Sequence, residues 1–338
     1  MKIVLTYNLK PAGSAEECAA PDDTYAEWDE PDTIAAVRDA LACEHEVVLL
    51  EDDAEIEPRL LAVQPDMAFN LAEGLGGPWR EARLPALLER HGIPFTGSSS
   101  QTLRLCLDKA ATKRVLRRHG LPTPAFSVMH RPQQACELDQ FPLMVKPLHE
   151  GSSKGIWANS VVSTRAALKA QVQRVIETYA QPALVETFLP GREFTVALLG
   201  NGAQVTVLPL VEICFAALPP GSVPAYSYEA KWLWDTPEHP LDIFTCPAEI
   251  SLELTATIGE MSRQAFRALE CRDWCRIDIR LDATGQPAIL EMNPLPGILP
   301  HAESHSCFPQ AAAAAGIAYP DLIRQVLRLA CQRYRLRS

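Results

Sequence analysis

Four polar residues sit in two short runs that otherwise hold Ile, Leu and Met: Arg276 and Asp278 in RIDI, Glu291 and Asn293 in ILEMN. A hairpin turning on residues 283–286 sets Asp282 against Pro287, Asp278 against Glu291 and Arg276 against Asn293. All four then project from one face, while Ile277, Ile279, Leu290 and Met292 project from the other. Two carboxylates and an amide oxygen are hard oxygen ligands. They suit Mg²⁺ or Mn²⁺, which keep waters and take their remaining ligands from phosphates. A solvated hairpin face carrying an ion pair is the other reading of this pattern.

A second stretch, LMVKPLHEGSSKGIW, is an apolar strand ending in Lys146, a loop of small residues, and a further strand from Ile156. Gly151, Ser152, Ser153 and Gly155 can turn successive N–H groups inward as an anion nest, with Lys146 adding a point charge. The alternative is an ordinary hairpin turn. In ALVETFLPGREF, Glu186 closes a strand, Leu189 begins an irregular link and Glu193 opens the next strand. Such a link can read a base edge through its backbone, and a carboxylate can take sugar hydroxyls; it can equally be a plain linker. Neither GxxxxGK[ST] nor a GxGxxG after the first strand is present, which weakens the P-loop and dinucleotide readings.

The elements that must position these residues fall into three regions. KIVLTYN, HEVVLLE and DMAFNLAEG read as strands, alternating with helical patterns that include Ile34, Val37 and Leu41, then REARLPALLERHG. That order predicts a parallel α/β unit. GIPFTGSSS, residues 92–100, marks a boundary. QTLRLCLDKAATKRVLRRHG reads as one helix stopped by Gly120 and Pro122, followed by the strands FPLMVKP, GIWANSV, PALVETFL and REFTVALLG around a helix over 164–179. The last region ends in a helix begun by Pro320 and Asp321, whose arginines (Arg324, Arg328, Arg333, Arg335, Arg337) suit the negative pole of a helix better than nucleic acid.

Composition agrees. The net charge of −11 argues against nucleic acid or an anionic membrane as partner. No apolar run approaches the roughly 18 residues of a membrane span, and MKIVLTYN does not read as a signal peptide, so a cytoplasmic protein is expected. The ten cysteines are scattered, with only Cys271 and Cys275 close, and are expected reduced and mostly buried.

Taken together, TGS, LDKAATK, VKPLHEGSSKG, VETFLPGREFTV, YEAKW and RIDIRLDATGQPAILEMNPLPG resemble, in order and spacing over about residues 92–298, the ATP-grasp superfamily and within it the D-alanine:D-alanine ligase branch. The resemblance implies an ATP-grasp fold, α/β and α+β: a Rossmann-like parallel-sheet domain over 1–97, a central lobe over 98–189 and a C-terminal lobe over 190–338, with nucleotide between the two lobes. It implies ATP and two Mg²⁺ or Mn²⁺ ions as cofactors. Lys109 and Lys146 would bind phosphates beside the loop Gly151–Ser152–Ser153, Glu186 and Leu189 would contact adenine, and Glu193 the ribose. Lys231 would grip the γ-phosphate, Asp278, Glu291 and Asn293 would hold the metal ions, and Arg276 with the Gly297 backbone would stabilise the transition state. The implied reaction joins two small amino acids through an acyl phosphate, in a homodimer.

Departures from the family concern substrates. The loop YNLKPAGSAEECAAPDDTYAEWDE is longer and more acidic than the family's first pocket; Asp23, Tyr25 and Glu27 are candidates there, against the reading of a solvated acidic loop. Asn70 and Glu73 stand where ligands collect in parallel sheets. Ser306 resembles the serine holding the second substrate's carboxylate, and His301 and His305 are loop histidines nearby. Thr187 replaces a family lysine, and Lys154 adds a charge without an assigned role. Ser152 and Trp232 stand where the family joins its lid to the first substrate, and Trp232 replaces tyrosine, so that hydrogen bond is expected to be lost. The rebuilt first pocket favours a specialised amino-acid ligase. The alternatives are the housekeeping enzyme, a ring-closing amide synthetase, and a nucleotide-binding regulator without turnover.

Overall fold

The structure is a computed structural model describing residues 1–11, 23–219, 222–234, 241, 243–301 and 306–337. β1 (Lys2–Tyr7), β2 (Glu46–Glu51) and β3 (Met67–Asn70) form a parallel sheet in the order β2-β1-β3, alternating with α1 (Pro31–Ala42) and α2 (Ile56–Val63) and followed by α3 (Arg80–Arg90). Successive side chains of a strand point to opposite faces. Ile3 and Leu5 therefore join Ile34, Val37 and Leu41 in one apolar cluster, while Val4 joins Leu60 and Leu84 in another. Cover on both faces explains the unbroken apolar run of β1. The 92–100 segment is no open linker: Phe95 bridges to Ala68, and Thr96 and Ser98 are buried.

The next run forms two helices where one is expected, α4 (Ser100–Leu107) and α5 (Lys109–Arg118). Asp108, at φ −80° and ψ 95°, leaves helical space and accepts the Ala111 N–H at 2.8 Å, capping α5. The break places Lys109 in the first turn of α5, where it reaches the hairpin. β4 (Phe126–Met129), β5 (Leu143–Pro147), β6 (Val161–Val162) and β7 (Ala183–Thr187) build an antiparallel sheet in the order β4-β7-β5-β6, with α6 (Arg165–Tyr179) packed through Leu168 and Val172 onto Val145 and Val185. GIWANSV is not the expected strand. Gly155 lies at φ +73° and a 3₁₀ turn follows at Ala158–Ser160, so only two residues are left to pair with β5. β4 is four residues long and mostly half-buried, which leaves little pattern to read.

The third sheet contains β8 (Glu193–Gly200), β9 (Thr206–Val207), β10 (Val211–Ile213), β11 (Phe244–Thr245), β12 (Asp273–Leu281) and β13 (Pro287–Asn293), ordered β11-β10-β8-β12-β13 with β9 also on β8. One face packs on α7 (Leu252–Ala268) through Val196, Leu198, Ile277 and Ile279. The other packs on α8 (Cys307–Ala314) and α9 (Tyr319–Tyr334) through Ala197, Leu199 and Trp274. Asp278 faces Glu291 and Arg276 faces Asn293 as expected, but by another route. Leu281 pairs with Pro287, and the register then slips by one residue between Asp278 and Ile279. The extra residue, Leu290, forms a bulge and lines the cleft. Ile289 takes its expected place in the core.

Among the described residues no helix is long and apolar enough to cross a membrane. The described cysteines are free; Cys106, Cys271, Cys275 and Cys331 are buried, Cys43 is exposed and the others are half-buried, so burial is less general than expected. Arg333 is no simple helix-end charge. Its guanidinium donates to Asp273 at 2.7 Å and to the Phe95 and Gly97 carbonyls, while fully buried Asp273 also accepts the Gly97 N–H at 2.8 Å and Asn201 at 2.9 Å. One carboxylate thus ties the end of the first region to β8 and α9. Removing the partner of a buried charge costs about 3–5 kcal/mol. Arg333→Met should lower the urea midpoint correspondingly, whereas Arg337→Met, at an exposed position, should leave it unchanged.

Candidate active site

β8, β12 and β13 present one polar face to a cleft whose opposite wall is the β5–β7 sheet and its loops. Asp278 accepts from Thr195 Oγ1 at 2.8 Å, from Arg276 Nε and Nη2 at 3.1 Å each, and from Asn293 Nδ2 at 3.0 Å. Glu291 pairs with Lys109 at 3.0 Å. Burial opposes the charge on Arg276, but Asp278 beside it holds the guanidinium more firmly protonated than usual. Asp278, Glu291 and the amide oxygen of Asn293, which meets no donor among the described residues, form a set of hard oxygen donors. That set fits a divalent ion, with Arg276 and Lys109 now balancing the carboxylates.

Glu186 is held differently from its expectation. Its oxygens pair with Lys146 at 2.7 Å and with Lys113 at 2.9 Å, and all three side chains are almost completely buried. Burial alone would raise the Glu186 carboxyl, but Lys113 and Lys146 outweigh it and hold it at about 2. Burial pushes Lys113 down to about 8 despite that partner. With its carboxylate spent on lysines, Glu186 has only its backbone to offer a base. Lys113 was not singled out by sequence; its position one helical turn after Lys109 is the signal that would have found it.

Leu189 lines the cleft with Met144, Ile156, Phe188 and Leu290, making flat apolar walls. Glu193 lies there too, its Oε2 paired with Arg280 at 2.9 Å. Burial raises the Glu193 carboxyl in spite of that arginine. Arg280, likewise unmarked by sequence, is fixed by the Pro224 and Gly191 carbonyls and stacks on Phe188 and Phe215.

The small-residue loop departs most from expectation. Ser152 and Ser153 lie at φ +47° and +62°, the strained left-handed region, and Gly155 at +73°, where a Cβ would meet Pro147 at 2.3 Å. The Gly151 N–H is already taken by Glu27 at 2.9 Å and the Gly155 N–H by Asp23 at 2.9 Å. Among the described residues, only the Ser152 and Ser153 N–H groups of the expected nest have no acceptor. Asp23 and Glu27 are therefore not members of a solvated acidic loop. Glu27 also pairs with Arg80 at 2.5 Å, Asp23 accepts the Tyr179 hydroxyl at 2.6 Å, and Lys154 crosslinks Glu150 at 2.7 Å to Glu27 at 3.6 Å. Tyr25 instead packs on Trp28.

Over this loop lies the π-helical turn Glu229–Trp234. Lys231 approaches Ser152 Oγ at 3.5 Å, and burial, reinforced by Arg276, pushes its ammonium down to about 8. The link expected to be lost is present in another form: the Trp232 indole donates to the Ser152 carbonyl at 3.2 Å.

The substrate candidates separate. Asn70 is 2 % exposed, lines neither cavity, and its amide oxygen accepts from Thr6 Oγ1 and the Ala72 N–H. Glu73 lines a smaller adjoining cavity with Glu27, Glu81, Glu291 and Asn293, and burial, then Glu81 and Glu27, push its carboxyl well up. Ser306 lines the main cleft, donating to the Gly297 carbonyl at 3.2 Å and accepting the Leu299 N–H at 3.2 Å. His301 is largely exposed beside Asp32. His305 lies outside the described residues. Lys10 and Asp29, unmarked by sequence, complete the cleft.

Residues 115–328 match the family described as D-ala D-ala ligase C-terminus. An uncharacterized protein, y4sG, of Sinorhizobium fredii is 41% identical over 300 residues, covering 86% of this chain and 85% of its own. A D-alanine–D-alanine ligase of Bordetella petrii is 37% identical over 283 residues, covering 81% and 78%. A D-alanine–D-alanine ligase of Bacillus anthracis, solved complexed with ATP, shares the fold with a TM-score of 0.73 at 21% identity, over 99% of both chains.

Glu186→Gln leaves two buried ammonium groups facing each other and should cost about 3–5 kcal/mol at pH 6, measured by urea denaturation. Because the native carboxyl sits below its ordinary range, the wild type's advantage is complete above that range. It should shrink as pH falls toward about 2.

Proposed function

The chain belongs to the D-alanine–D-alanine ligase family of ATP-dependent ligases, which form ADP and phosphate, and from that premise we propose a specialised amino-acid ligase. It joins a small amino acid carboxylate to an amine through an acyl phosphate. The observation that carries this reading is the convergence of Asp278, Glu291, Arg276 and Lys231 on the main cleft, with Asn293 beside Asp278 in the cavity adjoining it. A site that only stored nucleotide would have no use for an oxyanion donor. The specialised reading is supported by the first pocket, where Glu27 is already engaged by Arg80 and the Gly151 N–H.

Each residue then has a task. The apolar walls at Met144, Ile156 and Leu290 take a flat base, read by the backbone between Glu186 and Leu189. Glu193 keeps its Oε1 for ribose while Arg280 occupies Oε2. Lys146, Lys231 and the free Ser152 and Ser153 N–H groups receive phosphate oxygens, and Lys109 supports Glu291. Asp278, Glu291 and Asn293 would hold two Mg²⁺ or Mn²⁺ ions, whose charge would offset that building on the transferred phosphoryl group. Arg276 uses Nε and Nη2 on Asp278 and keeps Nη1 for the oxyanion of the tetrahedral intermediate, with the Gly297 backbone. Ser306 takes the acceptor's carboxylate. The same reading carries a cytoplasmic location and a homodimer, both resting on family likeness.

Phosphate release across D- and L-amino acids, singly and in pairs, with product masses, tests the reading. A two-substrate requirement with loss of one water supports ligation, and ADP formation stimulated by no amino acid contradicts it. Arg276→Ala should lower kcat about 100-fold or more while changing ATP affinity little; equal losses in both would remove Arg276 from the chemical step.

A further inference from the structure

Asp29 lines the main cleft, yet no ion pair or side-chain hydrogen bond ties its carboxylate to another described residue. Its backbone is fixed: the Asp29 N–H donates to the Asn8 carbonyl at 2.9 Å, and its own carbonyl accepts the Lys10 N–H at 3.0 Å. Of the acids near it in sequence, Glu27 is occupied by Arg80, Asp23 by Tyr179 and Gly155, and Glu30 by Lys10. A half-buried carboxylate with no direct ion-pair partner is costly to keep charged, so a cleft that holds one suits a cation that arrives with the ligand.

The cation in this chemistry is an ammonium, and the surroundings say whose. Asp29 lies within electrostatic reach of Tyr319, whose hydroxyl donates to the Ile298 carbonyl at 2.8 Å. Ile298 and Leu299 line the cleft beside Ser306, the acceptor side of the site. The donor side, at Glu27 and Gly151, is already satisfied. We propose that Asp29 is a catalytic residue that receives the acceptor's ammonium and takes one proton from it, a role that rests on the ligase reading above.

The step balances. The R–NH₃⁺ group of the acceptor gives a proton to an Asp29 oxygen, and the freed nitrogen lone pair attacks the acyl-phosphate carbonyl carbon. The C–N bond forms, the tetrahedral intermediate collapses, and the C–O bond electrons leave with phosphate, which collects the second nitrogen proton. The charged and titratable groups around Asp29 are Lys10 and Glu30 beside it, Glu73 after β3 and Tyr319 opening α9. Burial, opposed by Lys10 and assisted by Glu30, lifts the Asp29 carboxyl to about 7, where a base can both accept and release a proton. Lys10 is itself paired with Glu30 at 2.9 Å and lies over Trp232, and does not neutralise Asp29.

Hydroxylamine, a nucleophile already neutral near pH 7, needs no such base. The full-length enzyme and Asp29→Asn are compared with ATP, Mg²⁺ and the amino-acid pair that gives turnover in the phosphate-release panel. Amide formation and hydroxamate trapping of the donor's acyl phosphate are followed across pH 5.5–9. The proposal expects amide formation to fall about 100-fold in Asp29→Asn with its acid limb lost, while hydroxamate yield stays within about twofold of wild type. Retained hydroxamate yield also certifies the fold. Loss of both products, or of neither, overturns the role of Asp29 alone; a wild type that yields no hydroxamate with any donor overturns the ligase reading, and this proposal with it.

Discussion

Two carboxylates brought face to face across an antiparallel pair repel each other, and the site is organised around that repulsion. Asp278 and Glu291 are forced together by the β12–β13 register, and each is met by a cation from a different direction: Arg276 from the same strand, Lys109 from the first turn of α5. The break at Asp108 that places Lys109 there is thus part of the site. So is the bulge at Leu290, which brings an apolar side chain into the cleft without disturbing the opposed acids.

The same logic extends outward. Lys113 and Lys146 share Glu186; Arg280 holds Glu193; Arg80 and Lys154 hold Glu27 and Glu150. The strained turn at Ser152 and Ser153 is fastened from two other regions, by Asp23 and Glu27 at its glycines, and by the segment after β10, where the Trp232 indole holds the Ser152 carbonyl and the Tyr226 carbonyl accepts from Ser153 Oγ at 2.8 Å. The main cleft and the cavity adjoining it are therefore parts of one network, although the acids of the first loop and the small-residue loop lie more than a hundred residues apart.

What the sequence disclosed follows from locality. Alternation in RIDIRL and AILEMN placed Arg276, Asp278, Glu291 and Asn293 on one face without further information, and the apolar run of KIVLTYN identified a covered parallel strand. What stayed hidden depended on distant partners. Nothing near Asn70 says that Thr6 will meet its amide oxygen, nor does the acidic run around Asp23 and Glu27 announce Tyr179 and Arg80. Lys113 and Arg280 carry no assignment in the sequence until Glu186 and Glu193 are seen beside them. The hairpin count reached the right opposed pairs from the wrong turn, because the bulge restored the lost residue.

The most direct measurement is calorimetric titration of the full-length protein with a non-hydrolysable ATP analogue, with and without Mg²⁺, in the wild type and in Asp278→Asn/Glu291→Gln. The account predicts uptake that requires Mg²⁺ in the wild type and loses that requirement, with most of the affinity, in the double variant. Equal binding with and without Mg²⁺ in the wild type, or an unchanged Mg²⁺ requirement in the double variant, would contradict it.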